Sequence, residues 1–79
     1  MTEQEILSRT QETFSSVFGR EVPFRADLAR SEEPRWTSLK HVEFIIALES
    51  AFKVRFDGAD ATDMTSLPVV LERIHRKLT

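Results

Sequence analysis

Three adjacent features of this chain suggest chemistry by residue type and spacing: Thr37, Ser38 and His41, within the stretch "RWTSLKHVEFIIALESAF" from Arg35 to Phe52. A serine and a histidine three residues apart on a helix share one side, which is the start of a nucleophile and base pair. A hydrolase needs more than that. No acid stands out to orient the histidine, and neither a strained nucleophile turn nor an oxyanion hole is recognisable, so the chain reads as a non-enzyme. The other chemistry available to Ser38 is attachment. A hydroxyl on the first turn of a helix lies near unpaired N–H groups and the positive pole of the dipole, where an esterified phosphate is best stabilised. That use requires a different residue to cap the helix. Thr37 and Ser38 both have the side chain for it, and a Thr or Ser before an apolar run is most often simply the cap.

The remaining reactive residues point to little. There is no cysteine, which removes disulfides, thiolate metal sites and a thiol nucleophile. The two histidines, His41 and His75, lack carboxylate partners that the sequence would single out, so no metal site is expected. Arg73, His75, Arg76 and Lys77 gather near the C-terminus, and the simpler reading is a solvated helix end complementing its dipole. With 11 basic and 13 acidic side chains the net charge is -2, which argues against nucleic acid as a partner. Two glycines in all leave no phosphate-cradling loop. The opening "MTEQE" is not a basic then apolar leader, and no apolar run reaches the ~18 residues of a membrane span. A monomeric, cytoplasmic domain with no membrane insertion is the expectation.

The elements that must position Ser38 follow from periodicity. Residues 1–79 are expected to form one domain. Thr2 with Glu5 has the spacing of a capping box, Ile6, Leu7, Thr10, Phe14, Val17 and Phe18 recur at helical intervals, and Gly19 suits a left-handed stop. A helix from about Glu3 to Phe18 results. From Arg20 to Trp36 the period dissolves, with Val22, Phe24, Leu28 and Trp36 as anchors and a short helical turn expected around Ala26 to Arg30. Trp36 also has the size to contribute to a partner surface if its ring is partly exposed. A second helix runs from Ser38 to Phe52. Its apolar arc is wider than one packing face needs: Leu39, Val42 and Ile46 form one line, Ile45, Leu48 and Phe52 another, so one line can pack inward while the other meets a partner. "KVRFDGADATDM" begins in alternation and breaks at Asp57-Gly58, with one helical turn expected from Ala61 to Met64; a strand here would lack a partner. Ser66 reads as the cap of a last helix carrying Leu67, Val70, Leu71, Ile74 and Leu78 inward, with Pro68 in its first turn. Three long helices and a minor one predict an all-α, small four-helix bundle.

The ordered run "TSLKHVEFIIALESAFKVRFDGADATDMTSLPVVLERI", Thr37 to Ile74, resembles the acyl carrier proteins. In that family the second helix opens Asp-Ser-Leu, continues with a Val-Glu-Leu type run and an "ALEEEF" type end, and is followed by a "T-T-V" type start of the fourth helix. The resemblance covers roughly half the chain without a gap, and the N-terminal helix and loop agree in layout. It implies that Ser38 is the serine that receives 4'-phosphopantetheine from coenzyme A through a phosphopantetheinyl transferase. Leu39, Val42, Glu43 and Ile46 match the docking surface for partner enzymes such as a ligase, acyltransferase or synthase of fatty acid or lipid biosynthesis. His41, Ile45, Leu48, Ala61 and Met64 match positions toward the interior, where a bound acyl chain lies in some members. The implied product is a discrete carrier holding an acyl or aminoacyl group as a thioester, needing no acid, base or metal of its own because the reactive thiol belongs to the prosthetic group. Thr37 stands where the family has aspartate and "EEPRW" replaces the usual Leu-Gly lead-in, while Arg35, Lys40 and His41 dilute the acidic surface. These departures suggest a specialised member with a dedicated partner. Thr37 in the aspartate's place is then the better cap, leaving Ser38 free. The alternative is a helical protein-interaction module that keeps the carrier fold without being modified.

Overall fold

A computed structural model describes residues 1–79 and contains four α-helices and no strand. Helix α1 spans Glu3–Phe18, opened by the Thr2/Glu5 capping box, in which the Glu5 amide donates to Thr2 Oγ1 at 3.1 Å and the Thr2 amide donates to Glu5 Oε1 at 3.1 Å. The Thr2 amide holds the Glu5 carboxyl below its ordinary range. Ile6, Thr10, Thr13, Phe14 and Phe18 form its buried face. At its end Gly19 has φ 97° and ψ 153°, so the stop is not the left-handed one expected. The Gly19 amide closes the last turn on the Ser15 carbonyl at 2.9 Å, and the chain then turns through Arg20 and Glu21, the Val22 amide donating back to the Gly19 carbonyl at 3.3 Å, which delivers Val22 to the core. Only glycine suits this positive φ, and a Cβ there would meet the Glu21 carboxylate at 2.6 Å.

The long connection is pinned at Val22, Leu28 and Trp36, all buried, with Phe24 half-buried against them. Its helical turn is a 3-10 turn at Arg30–Glu32, later than the Ala26 to Arg30 expected. The reason is long-range. The Arg30 amide donates to the Thr65 carbonyl at 2.8 Å and the Leu67 amide to the Leu28 carbonyl at 2.8 Å, an isolated antiparallel bridge between Ala29 and Ser66 that fixes where the loop can coil.

Helix α2 spans Ser38–Phe52 and packs on α1, which also packs on α4. It ends at Lys53, a left-handed residue with φ 55° and ψ 48°, where the Lys53 and Val54 amides both donate to the Glu49 carbonyl. Glu49 Oε2 accepts from the Phe56 amide at 2.8 Å, and Val54 and Phe56 lean on the core instead of forming a strand. Helix α3 spans Gly58–Asp63, starting three residues before the expected Ala61. Asp57 and Asp60 make a second capping box, so the Asp57-Gly58 pair opens a helix where alternation alone suggested a turn.

Helix α4 spans Leu67–Leu78 with Leu67, Val70 and Ile74 buried and Leu71 and Leu78 half-buried. Ser66 occupies its cap position but its side chain makes no capping bond. Pro68, at the second helical position, has no amide hydrogen to offer it. The basic residues of α4 are also less free than expected. Arg73 reaches Asp60 at 2.8 Å and Asp63 at 2.9 Å, and Lys77 reaches Asp60 at 3.0 Å, which ties α3 to α4. Hydrogen bonding from Lys77, then from the Asp57 amide, holds the Asp60 carboxyl below its ordinary range, and the bond to Asp63 leads in pushing the Arg73 guanidinium up. No helix is long and apolar enough to cross a membrane.

Candidate functional site

The start of α2 is assembled from three sequence-distant segments. Thr37 is extended at φ -78° and ψ 173°, and its hydroxyl accepts from the Lys40 amide at 3.2 Å. Its carbonyl accepts the first intrahelical bond, from the His41 amide at 2.8 Å. Thr37 is therefore the cap, and Ser38, first residue of the helix, is exposed and free of that duty.

The floor beneath Ser38 is a short chain of hydrogen bonds. Trp36, 2% exposed, donates its indole N–H to His41 Nδ1 at 2.9 Å, and His41 Nε2 lies 2.7 Å from the Ala61 carbonyl. An indole nitrogen can only donate and a carbonyl can only accept, so His41 is the neutral tautomer protonated on Nε2. Both ring nitrogens are occupied, which makes His41 a strut joining the loop, α2 and α3. It is not available to Ser38 as a base. Burial of Trp36 likewise removes its ring from any partner surface. Phe14, Phe18, Trp36 and Phe44 cluster, Phe44 meeting Trp36 and Phe14 edge to face with centroids 5.8 Å apart in each pair.

A shallow open depression beside the hydroxyl is lined by Arg30, Ser38, His41, Val42, Ala61 and Thr62. Of the residues matched to an acyl pocket, His41 and Ala61 border it, whereas Ile45, Leu48 and Met64 lie in the packed core and line none of the depressions on the molecule. The five are thus split between a surface hollow and closed interior. The docking residues fare differently. Leu39, Val42 and Ile46 are 69%, 55% and 59% exposed, aligned along the outer side of α2, and Glu43 is exposed beside them in an ion pair with Lys40 at 3.2 Å. Lys40 Nζ also donates to the Val17 carbonyl at 3.2 Å, anchoring the start of α2 to the end of α1.

One neighbour of Ser38 was absent from the sequence reading of the site. Arg30 Nη2 donates to Ser38 Oγ at 3.1 Å, and its Nε donates to the Trp36 carbonyl at 3.0 Å. Seven residues without helical period separate Arg30 from Ser38, and the pair is brought together by the turns between them, by the Arg30–Trp36 bond and by the bridge to Thr65 and Ser66, so no regular spacing signalled it.

The arrangement offers an accessible nucleophilic oxygen with a cation beside it, an apolar strip along the same helix and no general base. No protein-family model matches the chain, and no curated protein matches it by sequence.

Proposed function

We propose that the chain is a discrete acyl carrier protein, modified on Ser38 with 4'-phosphopantetheine from coenzyme A and presenting an acyl or aminoacyl thioester to partner enzymes along α2. The observation that supports this reading best is the division of labour at the helix start: Thr37 caps, so the exposed Ser38 hydroxyl is left to carry a group. The strip of Leu39, Val42 and Ile46 begins at the very next residue, which is where an enzyme must sit if it is to reach a tethered cargo. The thiol of the prosthetic group supplies the thioester chemistry, and this chain's residues supply attachment and docking. Ile45, Leu48 and Met64 are tightly buried, and a cargo lying outside the core, along the hollow bordered by His41 and Ala61, agrees with that packing.

The test incubates the purified chain with coenzyme A, magnesium and a broad-specificity phosphopantetheinyl transferase, then one from the native host, and reads intact mass. The wild type is expected to gain one phosphopantetheine and Ser38→Ala none. Modification persisting in Ser38→Ala overturns the site, and no modification by either transferase overturns the carrier reading. A second reading draws on the same exposed strip: an unmodified helical module docking through Leu39, Val42 and Ile46. Isolation of the native protein without any prosthetic group, bound to a partner through that strip, would favour it.

A further inference from the structure

We propose that Arg30 is a phosphate-binding residue for a phosphoryl group carried on Ser38 Oγ. The guanidinium is held in place before any phosphate arrives. Its Nε is bonded to the Trp36 carbonyl, its own amide to the Thr65 carbonyl and its carbonyl to the Glu33 amide. Nη2 is aimed at Ser38 Oγ at 3.1 Å. Arg30 is half-buried, and no carboxylate pairs with it. The acids nearest in sequence are turned elsewhere: Glu32 pairs with Arg25 at 3.1 Å and Glu33 with Arg35 at 3.8 Å. Nη1 has no protein acceptor, so most of the outward fork is unused.

A neutral hydroxyl is a weak match for such a group. A guanidinium fork is complementary to the oxygens of a phosphate, and a charge-assisted bond to one is roughly twice as strong as a neutral one. An un-neutralised cation fixed beside a serine hydroxyl gains little until that oxygen is esterified to a phosphate, whose non-bridging oxygens bring the negative charge within its reach. The proposal rests on the carrier reading for the source of the phosphate, a pantetheine phosphodiester. A phosphomonoester left by a kinase offers the same oxygens, and the two sources are separated by experiment.

In the first arm the full chain is made with phosphoserine at position 38, and the phosphate is titrated by phosphorus NMR in the wild-type background, in Arg30→Gln and Arg30→Lys, and in Arg35→Gln as a surface control. The expected result is a phosphate midpoint in Arg30→Gln higher by about 0.5 unit or more than in wild type, because a neighbouring cation favours the dianion. Arg30→Lys, which keeps charge and loses the fork, should fall between, and Arg35→Gln should match wild type. Circular dichroism verifies that each variant is folded, and the lysine variant keeps the test valid if the glutamine variant loosens the loop. In the second arm the chain loaded by the transferase is compared with its Arg30→Gln form, where the phosphodiester resonance should move. Equal midpoints in the first arm together with an unmoved resonance in the second overturn the role of Arg30, while loading seen by mass leaves the carrier reading intact. A chain that no transferase loads, but whose phosphoserine responds to Arg30, sustains the phosphate site and removes pantetheine as its source.

Discussion

Helix α2 has two apolar faces of opposite fate. On one, Phe44 and Leu48 are fully buried and Ile45 and Phe52 nearly so; on the other, Leu39, Val42 and Ile46 are each more than half exposed. Hydrophobicity does not separate them, since both are apolar at helical spacing, although the inner face alone carries aromatic rings, Phe44 and Phe52. What separates them is cover. The inner face meets α1 and the Trp36 anchor, with Phe44 edge-on to Phe14, Phe18 and Trp36 at 5.8, 5.6 and 5.8 Å, while no other element of the chain crosses the outer face. Solvent-facing large apolar residues in line are unusual where a polar residue would serve the fold equally well, and the docking role proposed for this face rests on that exposure.

The contrast is broken most violently from the inner side. Phe44→Ala should cost about 3 to 5 kcal/mol by lost burial and an unfilled cavity among three rings. For a domain of this size the total is roughly 4 to 12 kcal/mol, so that loss leaves the fold marginal. Urea unfolding followed by far-ultraviolet circular dichroism measures it, and a change below about 1 kcal/mol would mean that the inner face is not the core. Trp36→Phe is the next step down. It keeps most of the ring but removes the donor to His41 Nδ1, leaving a buried acceptor unsatisfied at about 1 to 3 kcal/mol. The same variant should loosen α3, because His41 is what holds the Ala61 carbonyl, and amide exchange over Gly58–Asp63 should quicken while α1 stays protected.

The parts of this arrangement that could be read from sequence are those whose causes are local. The bounds of α1 and α2 follow from Thr2, Glu5 and Thr37 and from apolar period, and the structure reproduces them because a cap and a stripe need only a few neighbouring residues. Gly58 as the start of α3 is not marked by the Asp-Gly pair, which serves equally as a turn and as a cap with its first helical residue; Asp60, closing the capping box with Asp57, decides between them. The 3-10 turn begins at a bridge between residues more than thirty apart, a contact no window along the chain contains, and Arg30 reaches Ser38 across an aperiodic loop whose turns carry no regular spacing. That α2 carries two apolar lines was legible from period, whereas which line is covered was indicated only by the resemblance, and burial agrees with it.

Between the two faces stands the helix start, where neighbouring hydroxyls should respond oppositely. Thr37→Ala removes the acceptor for the Lys40 amide and should cost about 1 kcal/mol, readable as a shift of the urea midpoint. Ser38→Ala leaves the cap untouched and gives up only the exposed bond from Arg30, so its stability should stay within about 0.5 kcal/mol of wild type. Equal losses from both would mean that the capping duty is shared, and the division between cap and carrier would fail.

The smallest stability effects belong to the outer face. Leu39→Gln, Val42→Gln and Ile46→Gln remove side chains already in water, so each should change stability by no more than about 0.5 kcal/mol. Val42 and Ile46 can even gain slightly, because a straight-chain residue loses less rotamer freedom in a helix than a β-branched one. Their effect should appear only when a partner is present. Covering one such side chain is worth about 1.5 to 3 kcal/mol, so each substitution should lower kcat/KM for loading by the transferase roughly ten- to hundredfold at unchanged unfolding midpoint. Leu39, Val42 and Ile46 are successive neighbours on one helix face, so their effects are not independent, and their docking effects in particular should not add, since the first gap already admits water to the interface. A triple variant that unfolds like Phe44→Ala would return the outer line to the core. One that loads at the wild-type rate would show that the transferase approaches Ser38 from another side, and the hollow bordered by Arg30 and Thr62 is the remaining direction from which the hydroxyl is open.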